Sequence, residues 1–334
     1  MTDGPVEALA IGVDIGGTKV LAGVVDGDGR VLESLRRPTP GDDVEQTEAA
    51  ICAVVEELAT RYDVVAVGIG AAGWISADRA TVLFSPHLAW RDEPLRATLA
   101  QRIDLPVTVE NDANAAAWAE YRFGAARGTE VAVCVTLGTG IGGGLVIGGR
   151  LFRGAYGVAS EFGHMVVVPD GRRCACGNRG CWETYASGNA LARDARELIA
   201  VSPVHADRLL ARAGGDPAAI TGELVTAAAA GGDPAAIDIC TSMGAWFGRG
   251  LANLAAALDP SVFVVGGGVS AAGELLLAPA RAAFELTLTG RGYRPLARIV
   301  AARLGPRAGL VGAADLARRA LRPAVGLHRQ QWAD

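Results

Sequence analysis

Apolar residues in this chain fall either in short unbroken runs or at three-to-four-residue spacing, and the alternation of the two patterns predicts an α/β protein. Residues Ala10–Val25 read as a strand, a glycine-rich turn and a second strand. Asp26-Gly27-Asp28-Gly29 supplies a hairpin turn, and Val31–Arg37 continues as a third strand. Over Val44–Arg61, Ile51, Val54, Val55 and Leu58 fall at helical spacing. Val64–Gly70 reads as a buried strand leading into Ala71-Ala72-Gly73. Leu105–Val109 is a short strand that ends at Glu110-Asn111-Asp112, where Asn or Asp would cap a helix over Ala113–Phe123.

Val131–Ile147 repeats the opening theme. With Gly138 set against Gly16, strand, glycine-rich turn, strand and hairpin recur in the same order, and Gly148-Gly149 matches Asp26-Gly27. An internal repeat at this distance predicts two related domains facing each other. The rest of the second half is mostly helical. Cys240, Met243, Phe247, Leu251, Leu254 and Leu258 define an amphipathic helix that Asp259-Pro260 stops. Ser261–Val265 reads as a strand ending in Gly266-Gly267-Gly268, and a last helix, about Gly309–Leu321, returns to the first domain. The expected division is a small domain over 1–112 completed by about 305–322, a large domain over 113–304, and a tail over 323–334.

The chain has 334 residues, half of them hydrophobic and a fifth charged, enough to bury a large core. Its net charge of −5 comes with no basic run, which argues against nucleic acid as a partner. The first ten residues lack the basic-then-apolar layout of a signal peptide, and no apolar stretch reads as a membrane span. Of six cysteines, Cys52, Cys134 and Cys240 stand singly in apolar contexts. That usage points to a reducing cytoplasm rather than a disulfide framework.

The other three cysteines lie with His164 in the segment Glu161–Glu183. His164, Cys174, Cys176 and Cys181 form a complete tetrahedral ligand set for zinc. Cys-x-Cys-x4-Cys in a loop of Gly, Arg and Asn has no reason to exist in core packing, and exposed thiols there would be a liability unless ligated. A closed set leaves no open position for water, so the predicted metal is structural. The flanking acids Glu161 and Glu183 are then free to hold a polar ligand.

In Asp14-Ile15-Gly16-Gly17-Thr18-Lys19, glycines let backbone N–H groups converge on an anion, while Thr18 adds a hydroxyl and Lys19 a charge. It is not a P-loop, because GxxxxGK[ST] is absent. Gly138-Thr139-Gly140-Ile141-Gly142-Gly143 formally matches GxGxxG, but strand and turn follow it where a dinucleotide site needs a helix. Two glycine turns, one per domain, would grip a single phosphate chain. Asp112 alone reads as a helix cap. With Asn111 and Asn114 beside it, the segment holds more polar groups than a cap needs, which marks a candidate site.

The motifs VDIGGTK, VGIGAAG, VENDANAAAWAE, VTLGTGIGGG, SEFGHM, CACGNRGCWETYASG and VVGGGVS, in this order from Ile11 to about Leu316, resemble the ROK family of sugar kinases, and within it the ATP-dependent glucokinases of actinobacteria. The resemblance implies the actin-like/hexokinase ATPase fold, with two ribonuclease-H-like domains closing over sugar and nucleotide in a cleft between them. It implies transfer of phosphate from MgATP to the 6-hydroxyl of glucose, with Asp112 as general base. Asn111, Glu161, His164 and Glu183 would bond the other hydroxyls, and Gly73 would line the pocket. His164 would bind zinc through one ring nitrogen and face the sugar with the other.

By the same resemblance, the Gly12–Lys19 turn with Gly16, Gly17, Thr18 and Lys19, and the Gly138–Leu145 turn with Gly138, Thr139 and Gly140, hold the ATP phosphates. Asp14 would help hold Mg²⁺, and Gly266–Gly268, with Gly267 and Gly268, would border adenosine. A homo-oligomer, dimer or tetramer, is also implied. One departure stands out: Ser85-Pro86-His87-Leu88 has His87 where relatives commonly carry Asn. The family also contains kinases for other hexoses and N-acetylhexosamines, polyphosphate users, and DNA-binding sugar sensors. The sensors carry a helix-turn-helix before the first glycine turn, and thirteen residues precede Asp14 here.

Overall fold

A computed structural model describes residues 8–321. The expected tail over 323–334 lies outside them. The chain forms two units, one from residues up to 115 together with those from 309 onward, the other from residues 116–308.

The first unit opens with an antiparallel meander of β1 (Leu9–Ile15), β2 (Lys19–Val25) and β3 (Val31–Pro38). Helix α1 (Val44–Ala59) follows, capped by Asp43, whose side chain accepts the Gln46 N–H. The next strand, β4 (Val64–Ala71), pairs parallel with β1. A small antiparallel sheet of β5 (Trp74–Ile75), β6 (Val82–Phe84) and β7 (Arg91–Glu93) is inserted before α2 (Leu95–Ala100). Strands of two or three residues carry no measurable period, so periodicity does not distinguish this insertion from loop. The main sheet closes with β8 (Val107–Asn111), giving the order β3-β2-β1-β4-β8, and β8 runs directly into α3 (Asp112–Phe123).

The second unit repeats this plan. Strands β9 (Val131–Leu137), β10 (Ile141–Ile147) and β11 (Arg150–Phe152) form the meander. Helices α4 (Gly188–Val201), α5 (Asp207–Arg212), α6 (Gly222–Ala230) and α7 (Pro234–Leu258) come next. Strand β12 (Val262–Gly266), helix α8 (Glu274–Thr287) and strand β13 (Arg298–Ala301) complete the order β11-β10-β9-β12-β13. As in the first sheet, the meander strands are antiparallel and the later ones parallel, and Gly148-Gly149 turns β10 into β11. Helix α7 ends at Asp259, which takes a left-handed conformation. The chain then returns to the first unit as α9 (Ala308–Ala320).

Each unit has its own apolar core. Ile11, Val13, Val20, Val54, Leu58, Val67 and Ile69 fill the first. The second is built on larger rings, with Trp182 stacked on Phe247 at 5.3 Å and Phe263 edge-on to Phe284 at 5.9 Å. Burying each such side chain contributes roughly 1.5–3 kcal/mol.

Helix α9 comes so close to the first sheet that no side chain fits between them. Gly12 and Gly68 are register partners on β1 and β4. A β-carbon at Gly12 would fall 1.8 Å from the Leu310 carbonyl oxygen, and one at Gly68 would fall 1.9 Å from that of Ala313. On the helix itself, Gly312 brings the backbone against α3, where a β-carbon would fall 1.7 Å from the Ala115 carbonyl oxygen. These contacts involve backbone on both sides, so neither partner can swing aside. Gly68→Ala should lower the unfolding free energy by about 3 kcal/mol in urea denaturation, as overpacking does. An unchanged midpoint would mean that α9 is free to lift off the sheet.

Candidate active site

The structure places the candidate residues in two groups, one in each unit. In the first unit, the turn between β1 and β2 closes through a bond from the Gly16 N–H to the Lys19 carbonyl, 3.0 Å. Thr39 braces it, its hydroxyl donating to the Gly16 carbonyl at 2.9 Å. Thr18 is exposed at the tip, and Gly16, Gly17 and Lys19 are half-buried.

Just before the turn, Asp14, one residue from the end of β1, stands against the start of α9. A β-carbon at Gly309 would lie 2.8 Å from the Asp14 carboxyl carbon, so glycine there makes room for the acid. Burial, the Asp112 carboxylate nearby and, in the opposite sense, Lys19 together push the Asp14 pKa up to about 7.

The polar excess at 110–114 has a clear division of labour. The Asn111 side chain is the helix cap, its oxygen accepting the Asn114 N–H at 2.9 Å. Its amide nitrogen donates to the Gly73 carbonyl at 3.0 Å, tying the start of α3 to the turn after β4. Gly73 itself has φ +138, a conformation open to glycine. Glu110, 1 % exposed, accepts from the Asn111 N–H and from the Asn114 side chain, and faces Arg79 Nε at 3.4 Å. Asp112 is therefore not needed as the cap. Its carboxylate accepts the Ala113 N–H at 2.8 Å, and although some of its surface stays open, desolvation holds its pKa above the ordinary aspartate value.

In the second unit, the turn between β9 and β10 closes with the Gly138 N–H on the Gly140 carbonyl, 3.0 Å. Helix α4, capped by Ser187, begins against it, the Gly188 N–H donating to the Gly138 carbonyl at 2.8 Å and the Asn189 N–H to that of Thr139 at 3.2 Å. Gly267, with φ +86, sits against the end of β9, where a β-carbon would be 2.3 Å from the Leu137 carbonyl oxygen. The space beside Gly138 and Gly268 is open.

The cysteine loop joins this turn through Glu183. One carboxylate oxygen accepts the Ile141 N–H at 3.4 Å, and a β-carbon at Gly140 would be 2.4 Å from that oxygen. The other accepts from Cys174 Sγ at 3.1 Å and lies 3.6 Å from His164 Nδ1. His164 Nδ1 is 3.7 Å from Cys174 Sγ, and Cys176 Sγ is 3.6 Å from Cys181 Sγ. Ligand atoms of His164, Cys174, Cys176 and Cys181 all lie within 4.8 Å of one another, a grouping able to hold a metal ion. The other ring nitrogen, Nε2, points to Glu161 at 3.9 Å. Trp182 anchors the loop between Cys181 and Glu183. Its indole is completely buried, donates to the Trp246 carbonyl at 3.0 Å, and fits where a β-carbon on Gly250 of α7 would be 2.0 Å away.

Gly309, Trp182 and the Ile141 N–H had no signal in the sequence as parts of a site. Each acts through a partner far along the chain.

Two α/β units of one strand order, each with a glycine turn between its first two strands, define the actin-like/hexokinase ATPase fold. The ROK family description matches residues 10–320, and the chain belongs to the ROK family. It is 51 % identical to the glucokinase of Streptomyces coelicolor over 93 % of this chain and 98 % of that protein. Among solved structures, the ROK family glucokinase from Streptomyces griseus in complex with glucose and AMPPNP superposes with a TM-score of 0.86 at 54 % identity, covering 93 % of this chain and 100 % of that one. The ROK hexokinase from Thermus thermophilus gives a TM-score of 0.75 at 35 % identity, over 93 % and 98 % of the two chains. No helix among the described residues is long and apolar enough to cross a membrane.

The Asp14 environment yields a pH prediction. A carboxyl whose folded pKa is raised binds its proton more tightly when folded, so its stabilising contribution fades as pH rises from 3.8, its unfolded value, to about 7. Without divalent cations, Asp14→Asn should flatten the fall in thermal stability across that window. Parallel pH curves for variant and wild type would refute the assignment.

Proposed function

We propose that this chain phosphorylates glucose at its 6-hydroxyl with MgATP, giving glucose 6-phosphate and ADP. The reading is carried by one observation, the Asp112 carboxylate held beside Asp14 and the glycine turn of the first unit. The glucokinase likeness over nearly the whole chain supports the sugar and the donor.

In this reading Asp112 is the general base. It takes the proton from the 6-hydroxyl as that oxygen bonds to the γ-phosphorus, and the bond to the bridging oxygen breaks to release ADP. A raised pKa suits the task, since a base works best with a pKa near the operating pH. Transfer passes through a loose transition state, so positioning and charge neutralisation outweigh covalent help. Gly16 and Gly138 close the two turns with their own N–H groups, so the N–H groups of Gly17, Thr18, Thr139 and Gly140, with Lys19, would receive the phosphates, and Gly267 and Gly268 border the adenosine. Mg²⁺ supplies charge neutralisation when bound. Asp14 fits as its holder, because a cation beside it would relieve both its burial and its repulsion from Asp112.

Asn111, Glu161, His164 and Glu183 hold the remaining hydroxyls, and Gly73 lines the pocket. Zinc fits the His164, Cys174, Cys176 and Cys181 group. Zn–S bonds of about 2.3 Å at tetrahedral angles put two sulfurs about 3.8 Å apart, close to the 3.6 Å between Cys176 and Cys181. Such an ion would fix the ring of His164 through Nδ1 and leave Nε2 for the sugar.

Coupled assay of ADP release with glucose, mannose, fructose, N-acetylglucosamine and N-acetylmannosamine tests the reading. Glucose should be strongly preferred, and a preference for another sugar would overturn the substrate. Asp112→Asn should cut kcat by roughly 10²–10⁴ with folding intact, and unchanged turnover would sink the base assignment. Cys176→Ser should lose bound zinc by elemental analysis and raise the glucose KM. Full metal content with unaltered glucose affinity would remove zinc from the proposal.

A further inference from the structure

The kinase reading leaves one chemically capable side chain at the first unit's site without a task. His87 lies in the connection between β6 and β7, and its position is set by an unusual density of bonds. The Ser85 hydroxyl donates to the Ala72 carbonyl at 2.7 Å, beside Gly73. Arg91 donates to three carbonyls of the same loop, those of Ser85, Leu88 and Trp90, at 2.7, 3.1 and 2.5 Å. The Ala89 N–H donates to the Gly41 carbonyl at 2.8 Å. A β-carbon at Gly17 would lie 2.9 Å from His87 Cβ and 3.6 Å from Cγ, so the phosphate turn packs directly on the base of this side chain. The imidazole itself is exposed and makes no hydrogen bond among the described residues. It lies within electrostatic reach of Asp112, where its charge acts to lower the pKa that burial raises.

His87 thus packs on the turn that holds the donor phosphates and lies within electrostatic reach of the carboxylate that takes the proton of the acceptor hydroxyl. A phosphoryl group leaving the first for the second must cross the space between them. Asp14, Lys19 and Asp112 act on one another there electrostatically. The two carboxylates repel a phosphoryl oxygen. A ring N–H on a rigid loop would offset them where charge builds up, and preorganised donors of this kind act mainly in the transition state.

We propose that His87 is a catalytic residue of the transfer, donating a hydrogen bond from its imidazole to an oxygen of the phosphoryl group in flight. The proposal rests on the kinase reading above. It assigns no proton transfer to His87, since Asp112 takes the proton from the hydroxyl, and it leaves the sugar contacts unchanged.

The test compares wild type, His87→Ala and His87→Gln by steady-state kinetics with glucose and MgATP. It adds inhibition by ADP, glucose and aluminium fluoride, which together mimic the transferring phosphoryl group. His87→Ala should lose roughly 10²-fold in kcat, the loss typical of one transition-state donor, with the glucose KM within about threefold of wild type. Inhibition by the mimic should weaken by a similar factor. His87→Gln, which keeps an N–H donor, should recover part of both losses. A loss confined to the glucose KM would make His87 a sugar contact and overturn the proposal. So would equal losses in the Ala and Gln variants with a lowered Tm, which would reduce His87 to loop packing. Wild-type activity with an unaffected His87→Ala variant would remove the histidine alone, whereas a wild type that transfers no phosphate to any sugar would remove the kinase reading as well.

Discussion

Backbone-to-backbone contact between α9 and the first sheet is the constraint from which the first unit's chemistry follows. Gly12 and Gly68 remove the side chains that would hold the helix off, and Gly312 lets the same helix touch α3 at Ala115. A helix seated on bare backbone cannot rock on flexible side chains. Its first turn therefore meets Asp14 at a set distance, through Gly309, and its middle sets the beginning of α3, where Asp112 stands. Two acids placed against one rigid element hold their separation, and that separation adds repulsion from Asp112 to the burial that raises the Asp14 pKa.

The second unit uses a different device for the same end. Glu183 has one oxygen on the Ile141 N–H of the glycine turn and the other on Cys174 and His164. Trp182 fixes that carboxylate from behind by filling the slot that Gly250 leaves in α7. The cysteine loop is rich in Gly, Arg and Asn and buries little of its own surface, so its order depends on this ring and on whatever binds the thiols. Half-buried Trp246 packs against the second core, receives the indole N–H on its carbonyl and sets its ring on Tyr185 at 4.8 Å.

What could be read from the sequence was what local chemistry encodes. The two glycine turns, the repeat that relates Gly16 to Gly138, and the spacing of His164, Cys174, Cys176 and Cys181 are all short-range patterns; the two strand orders repeat as the glycine turns do, and the four side chains lie together. The choice between Asn111, Asp112 and Asn114 as helix cap could not be read, because all three have the right chemistry and only the Gly73 carbonyl decides how Asn111 points. The β5–β7 sheet was invisible because its strands are too short to show a period. The meeting of His87 with Gly17 and the wedge of Trp182 against Gly250 join residues tens of positions apart, and no spacing rule carries that information.

The seating of α9 also bears on the order in which the chain becomes an enzyme. Residues 116–308 are continuous and can complete their core as soon as they emerge during synthesis. The first sheet is made earlier, yet the groove over Gly12 and Gly68 stays open until Leu310, Ala313 and Ala314 arrive to bury themselves there. Asp14 and Asp112 thus gain their final setting last, although they lie in the first third of the chain. Nascent chains that stall short of α9 have both glycine turns and the whole His164–Cys181 cluster, but not the element that sets Asp14 against Asp112.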